Sequence, residues 1–97
     1  MSQQRDDKPS NGMDDFIGLD VVLDTGGPLV YLGLLSAYDD GGFWLDQADV
    51  HRCDEGHAPR EQYVAESRLD GVRANRQRVY VVRQVVTSIS LLSDVIP

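Results

Sequence analysis

The residues best equipped for chemistry gather at one place: His51, Cys53 and His57, with Asp54 and Glu55 between them. Imidazole, thiolate and carboxylate are the ligand types that zinc takes. A structural zinc site wants four well-placed ligands, usually with at least two cysteines, and this chain has one. The spacing His51-x-Cys53-x-x-x-His57 fits no standard zinc pattern, so the segment reads first as a solvated loop. Metal is expected to be absent, with those three residues the only candidates for it. A Cys53–His57 nucleophilic pair would need a third group to orient the histidine and a pocket to work in. Asp39, Asp40, Asp46 and Asp49 supply carboxylates for acid–base work, but acids at strand ends ordinarily solvate turns and blunt edges. No phosphate-cradling loop of a nucleotide enzyme is present. The expectation is a non-enzymatic protein that uses no cofactor.

The arginines are the second chemical resource. Arg68, Arg73, Arg76, Arg78 and Arg83 lie within sixteen residues, opposed only by Asp70. The first 67 residues carry 14 acids against 4 bases, and the whole chain has a formal charge of −7. A field of that sign repels polyanions at long range, while a local basic stripe still holds phosphate at contact. The competing reading is a mixed surface whose arginines pair with acids elsewhere on the fold.

The elements that must position these residues are mostly strands. The chain has 97 residues, 41% of them hydrophobic and 26% charged, which describes one small domain. Residues 1–15 are polar, contain Pro9 and Gly12, and read as a disordered tail without a secretory leader. The folded domain is expected over 16–97. No apolar run approaches the ~20 residues of a membrane-spanning helix, and the lone cysteine fits a reducing, cytoplasmic setting. Leu19 to Asp24 alternates, with Leu19, Val21 and Leu23 on one face, as a half-buried strand should. Gly26-Gly27-Pro28 turns the chain. Leu29 to Tyr38 is apolar on both faces, with Gly33 where a strand could bend sharply. Asp40-Gly41-Gly42 is the next turn and Phe43 to Val50 the third strand.

Residues 51–76 read as a variable loop. Within it, Pro59 and Gly71 could bracket a short helix ending near Leu69, while Tyr63 to Ala65 equally suits a strand extension. Beyond the loop, Arg78 to Arg83 and Val85 to Leu91 are dense in β-branched residues, separated only by Gln84. No ordinary hairpin fits such a link, so the two runs form one sharply bent ribbon whose arms pair with different neighbours.

Two motifs in this order carry a resemblance. Gly33-x-Leu35-x-x-x-Asp39, with apolar Phe43 and Leu45 and then Ala48, resembles the first signature of the Sm and Sm-like proteins. Val81-Val82-Arg83-Gln84-Val85-Val86-Thr87-Ser88-Ile89 resembles their second, in which an apolar-Arg-Gly step precedes a Val-rich final strand. The likeness spans about Leu19 to Leu92. It implies an all-β fold: a small, five-stranded, strongly bent antiparallel barrel of Sm-like, SH3-like type. It also implies assembly into rings of six or seven through the last two strands, and binding of single-stranded RNA. The turn Asp40-Gly41-Gly42 lacks the stacking residue and asparagine that the family uses on RNA, and the Arg-Gly step is Arg83-Gln84. Stacking contributes about 1–3 kcal/mol per base, so its loss removes the main sequence-tolerant source of affinity. Any RNA binding would then fall to Arg83, Arg78 and Arg76, with Asp39 bracing the loop.

Apolar residues on both faces of the Arg78–Arg83 run give a separate reason for association, because an uncovered apolar edge strand pairs with another chain. Val79, Tyr80, Val81, Val82, Val86 and Ile89 are the expected oligomer contacts. Trp44 points away from Phe43 and Leu45, either covering one end of the fold or anchoring an interface. The expected partners are further copies of the chain and another protein, or alternatively single-stranded RNA, and not a membrane.

Overall fold

A computed structural model describes residues 12–53 and 59–97. Five strands form one antiparallel sheet: β1 (Asp20–Thr25), β2 (Leu29–Asp39), β3 (Gly42–Arg52), β4 (Arg76–Val82) and β5 (Val86–Leu91). Their order is β4-β3-β2-β1-β5, so the last two strands in sequence are the two edges of the sheet. The link between them is a single 3-10 turn, Arg83–Val85, which sends β4 to β3 and β5 to β1. This is the bent ribbon expected from the missing hairpin signal. One helix, α1 (Arg60–Asp70), stands between β3 and β4 and resolves the choice between helix and strand there. Pro59 sits at its N-cap position and Gly71 closes it with φ 94°, a backbone conformation that glycine adopts without strain.

The sheet is bent enough to bury both of its faces. Val21 and Leu23 of β1 enter one core with Leu35, Phe43, Leu45, Ala48 and Val81. Val22, between them, enters a second core with Val30, Leu32, Val64 of α1 and Leu92. The expected alternation in β1, with one face to solvent, is therefore replaced by three consecutive buried residues. Strand β2 alternates regularly from Val30 to Leu35, with Val30 and Leu32 toward the second core and Leu35 toward the first. The change of parity falls in β3, where Phe43, Leu45 and then Ala48 enter the first core, and it needs an irregularity in register. It occurs at Gly33: Leu32 pairs with Asp49 and Leu34 with Asp46, so Gln47 and Ala48 together oppose Gly33 as a β-bulge. A Cβ on Gly33 would stand 3.0 Å from the Ala48 Cα and 3.1 Å from the Asp46 carbonyl oxygen. Glycine is what lets the strands close there. Gln47 takes the left-handed conformation (φ 48°) that the bulge requires.

Order begins earlier than expected. Gly12–Phe16 forms a 3-10 turn whose Met13 and Phe16 pack on the first core, and the Tyr38 hydroxyl donates a 2.5 Å hydrogen bond to Asp14. The tail boundary drawn at Asp15 thus falls inside this turn, because Met13 supplies an apolar anchor beyond Phe16. The remainder of the expected tail, 1–11, lies outside the described residues. No helix among the described residues is long and apolar enough to cross a membrane.

Candidate interaction site

The residues of both motifs meet where the β2–β3 turn reaches the β4–β5 corner. Asp39 Oδ1 accepts the backbone N–H of Gly41 (2.8 Å) and of Gly42 (2.9 Å), and the Tyr80 hydroxyl at 2.6 Å. The Tyr80 bond and the Gly41 bond hold the Asp39 carboxyl below its ordinary range, and the Arg83 charge adds to them. The same hydrogen bond raises the Tyr80 phenol. The Arg83 N–H donates to the Gly41 carbonyl at 2.8 Å, so turn and corner are one unit. The Arg83 guanidinium lies 5.6 Å from the Phe43 ring centroid. Tyr80 takes the space above the glycines: a Cβ on Gly41 would come within 2.6 Å of its hydroxyl.

Beside this unit, the sheet carries an aromatic and cationic face. Trp44 and Tyr80 are register partners with ring centroids 4.7 Å apart. Arg78 lies over Trp44 at 5.6 Å and pairs with Asp46 at 3.0 Å. Trp44 is exposed, as its position opposite Phe43 and Leu45 predicted.

The arginine run is spread out by the fold rather than gathered. Arg68 donates to the Ser93 carbonyl, Arg76 to the Asn75 carbonyl, and Arg78 to Asp46, while only Arg83 stands at the corner. Alternate positions of β4 (Arg76, Arg78, Tyr80, Val82) share the outer face, so Arg83 is separated from Arg78 by Tyr80 and Val82.

Among the expected oligomer contacts, Val82 is 48% exposed and Tyr80, Val79, Val86 and Ile89 are half-buried. Val81 is different. Its side chain is in the first core at 2% exposure, leaving its backbone as what it presents at the edge. The exposed Val85 at the corner was not among the expected contacts, although its place beside Gln84 already put it in the bend.

The metal candidates disperse in the part that can be described. The His51 ring stacks on Tyr63 of α1, with centroids 3.6 Å apart and planes 7° apart. Cys53 packs against the second core. His57, Asp54 and Glu55 lie outside the described residues. Among the described residues, no group of three histidine, cysteine or acidic side chains is placed to hold a metal ion.

Two residues that the sequence did not single out organise the end of β3. Asn75 pairs with Val50 as a strand neighbour would, through Val50 N–H to Oδ1 (3.1 Å) and Nδ2 to the Val50 carbonyl (3.0 Å), and also donates to Asp49 Oδ1 at 3.1 Å. Tyr63 is the other, through its stack on His51. Asp49, read as a turn-solvating acid, is 5% exposed. The bulge at Gln47 turns it away from the face that Phe43, Leu45 and Ala48 share, and on the opposite face it lies beside Tyr63 and Ser67 of α1 and bonds Asn75. Burial raises its carboxyl above the ordinary range, against the opposing pull of His51 and Arg73.

No protein-family model matches the chain, and no curated protein matches it as a relative. Solved structures do. A Pyrococcus abyssii Sm protein in complex with a uridine heptamer matches over 88% of this chain and 99% of its own, at 17% identity and a TM-score of 0.60. A chain of the NatC complex bound to CoA matches over 87% of this chain and 86% of its own, at 20% identity and a TM-score of 0.57. A chain of the NatC complex bound to Gag peptide and CoA covers 79% and 86%, at 20% identity and a TM-score of 0.53. The chain is thus a divergent protein of the Sm-like fold.

Proposed function

We propose that this protein is a non-enzymatic module whose strongly bent sheet forms a small barrel left open between β4 and β5, and whose copies join edge to edge there, as a ring or other closed assembly, to scaffold a protein partner. The observation that carries the reading is the position of β4 and β5. Both are edges with one neighbour each among the described residues, and they are joined by a corner that exposes Val82 (48%) and Val85 (46%). An edge strand of seven residues with apolar side chains is a template for a further strand. A head-to-tail contact of β4 on β5 repeats around an axis and closes when the rotation allows. The solved likeness to a chain of the NatC complex is compatible with a life inside a protein assembly.

The distribution of the arginines favours a protein partner over RNA. Arg78 is already paired with Asp46, the turn offers no stacking residue, and Tyr80 fills the space over its glycines. One observation supports the alternative, a divergent single-stranded RNA binder: Arg83 is exposed at the corner, fixed to the β2–β3 turn, on a fold shared with an Sm protein solved with uridine RNA. Size-exclusion chromatography with light scattering and dual 260/280 nm absorbance, without nuclease treatment, separates the two. A discrete multiple of 10.8 kDa free of nucleic acid supports the scaffold. The same multiple with nucleic acid, lost in Arg76→Ala, Arg78→Ala and Arg83→Ala and steeply salt-dependent, supports the RNA reading. A monomer throughout contradicts the assembly claim.

A further inference from the structure

Between the end of β3 and α1 lies a cleft of about 390 Å³, on a part of the fold that edge pairing does not use. Asp49, His51, Tyr63, Glu66, Ser67, Asp70 and Arg73 line it, so three carboxylates face one guanidinium. We infer that this cleft is a binding site for an organic cation, the ammonium or guanidinium head of a lysine or arginine side chain or of a free amine.

Three independent features of the cleft ask for such a ligand. Asp49 is a carboxylate buried to 5% exposure, with Asn75 as its hydrogen-bond donor. A buried carboxylate is an acceptor with room for several donors, and it is costly until they are supplied. Among the described residues, the Tyr63 hydroxyl is shielded from solvent and has no hydrogen-bond partner, which native structures rarely tolerate without a role. The wall is also preformed: Tyr63 is fixed face to face on His51, and α1 is tied at its start by Arg60, which donates to the Gly27 carbonyl at 2.6 Å. An ammonium carries three donors and a guanidinium five, and neither accepts. That inventory matches a cleft whose acceptors are the Asp49 carboxylate, beyond its bond from Asn75, and the Tyr63 hydroxyl oxygen. An anion would meet three like charges. A neutral apolar group would leave the Tyr63 hydroxyl without a partner and bring no counter-charge to Asp49.

The site does not depend on assembly through β4 and β5, and the test keeps the two apart by using backbone amide shifts at residues 49–73. The labelled full chain is titrated with Nα-acetyl-lysine methylamide, Nα-acetyl-arginine methylamide and n-butylammonium, with Nα-acetyl-norleucine methylamide as the uncharged control. Saturable shifts centred on Asp49, Tyr63 and Ser67 are expected with the cations and not with the control. Asp49→Asn, which can keep the Asn75 bond, should weaken binding by about tenfold or more, and the exposed Glu66→Gln by a smaller factor. Tighter binding of the capped residues assigns the cleft to a polypeptide side chain, and tighter binding of the simple amine assigns it to a free metabolite. Absence of saturable shifts, equal shifts from norleucine, or unchanged affinity in both folded variants overturns the proposal.

Discussion

The most exacting test of the bent sheet is a series of three glycines replaced by alanine. At Gly42, the added Cβ would stand 2.3 Å from the Val81 carbonyl oxygen and 3.1 Å from its carbon, both backbone atoms of the strand paired with β3. No rotamer relieves that contact, so β3 and β4 must separate locally. Overpacking of this kind costs about 1–3 kcal/mol, and a rigid backbone partner puts Gly42→Ala near the top, about 3 kcal/mol. At Gly33 the nearest atoms are at 3.0–3.2 Å, which a few tenths of an ångström of movement accommodates. A cost of about 1–2 kcal/mol there is partly offset by the ~0.5–1 kcal/mol that alanine recovers from the more restricted unfolded chain, leaving about 1 kcal/mol. At Gly27 nothing lies within 4 Å, and Gly27→Ala should be neutral or stabilising by up to ~1 kcal/mol. For a domain of this size, each kcal/mol moves Tm by about 4–8 °C. Thermal unfolding followed by circular dichroism should therefore rank Gly42→Ala far below Gly33→Ala, with Gly27→Ala at or above the parent. Equal midpoints for Gly42→Ala and Gly27→Ala would refute the close approach of the β2–β3 turn to β4, and with it the account of the bend.

Other outcomes follow from the same geometry. Asp39 has a folded pKa below its ordinary 3.8, so its bonds favour the fold above that value and are lost as pH falls through the folded one. Urea midpoints between roughly pH 2 and 7 should show that acid-side loss reduced in Asp39→Asn. Asp49 has the opposite sign: its folded pKa is raised, so its charge weighs against the fold as pH rises past 3.8. Asp49→Asn should thus match or exceed the parent in midpoint at pH 7 while giving no advantage at low pH. The Arg78–Asp46 pair is partly exposed, and Asp46→Asn should change stability by less than about 1 kcal/mol in equilibrium unfolding.

What the sequence made legible, and what it hid, divides along one physical line. Strand order along the chain, the turns at Gly26–Pro28 and Asp40–Gly42, and the forced separation of β4 from β5 were readable because glycine, proline and β-branched runs act locally. Phe43 and Leu45 were equally readable as core. Parity within a strand was not. The bulge at Gln47 brings Ala48 onto the face of Phe43 and Leu45 and sends Asp49 to the opposite one, where α1 and Asn75 bury an acid that looked like a surface residue. Val22, assigned to neither face of an alternating strand, is buried because the sheet curves round a second core. α1 was ambiguous because its apolar residues are sparse, and it is held by Val64 in the second core and by Arg60 at the Gly27 turn. The arginine run is dense in sequence, but strand alternation and the β4–β5 corner scatter it in space. The cleft under α1 was invisible because Asp49, Tyr63 and Asn75 meet only once β3, α1 and β4 are in place.

The measurement that bears most directly on edge-to-edge assembly is amide hydrogen exchange at two protein concentrations, one on each side of the association midpoint found by light scattering. The account predicts slower exchange in the concentrated sample across Arg76–Val82 and Val86–Leu91, with β2 unchanged because both its edges are already paired. Protection that is the same at both concentrations, or that rises on α1 and not on the edges, would contradict it.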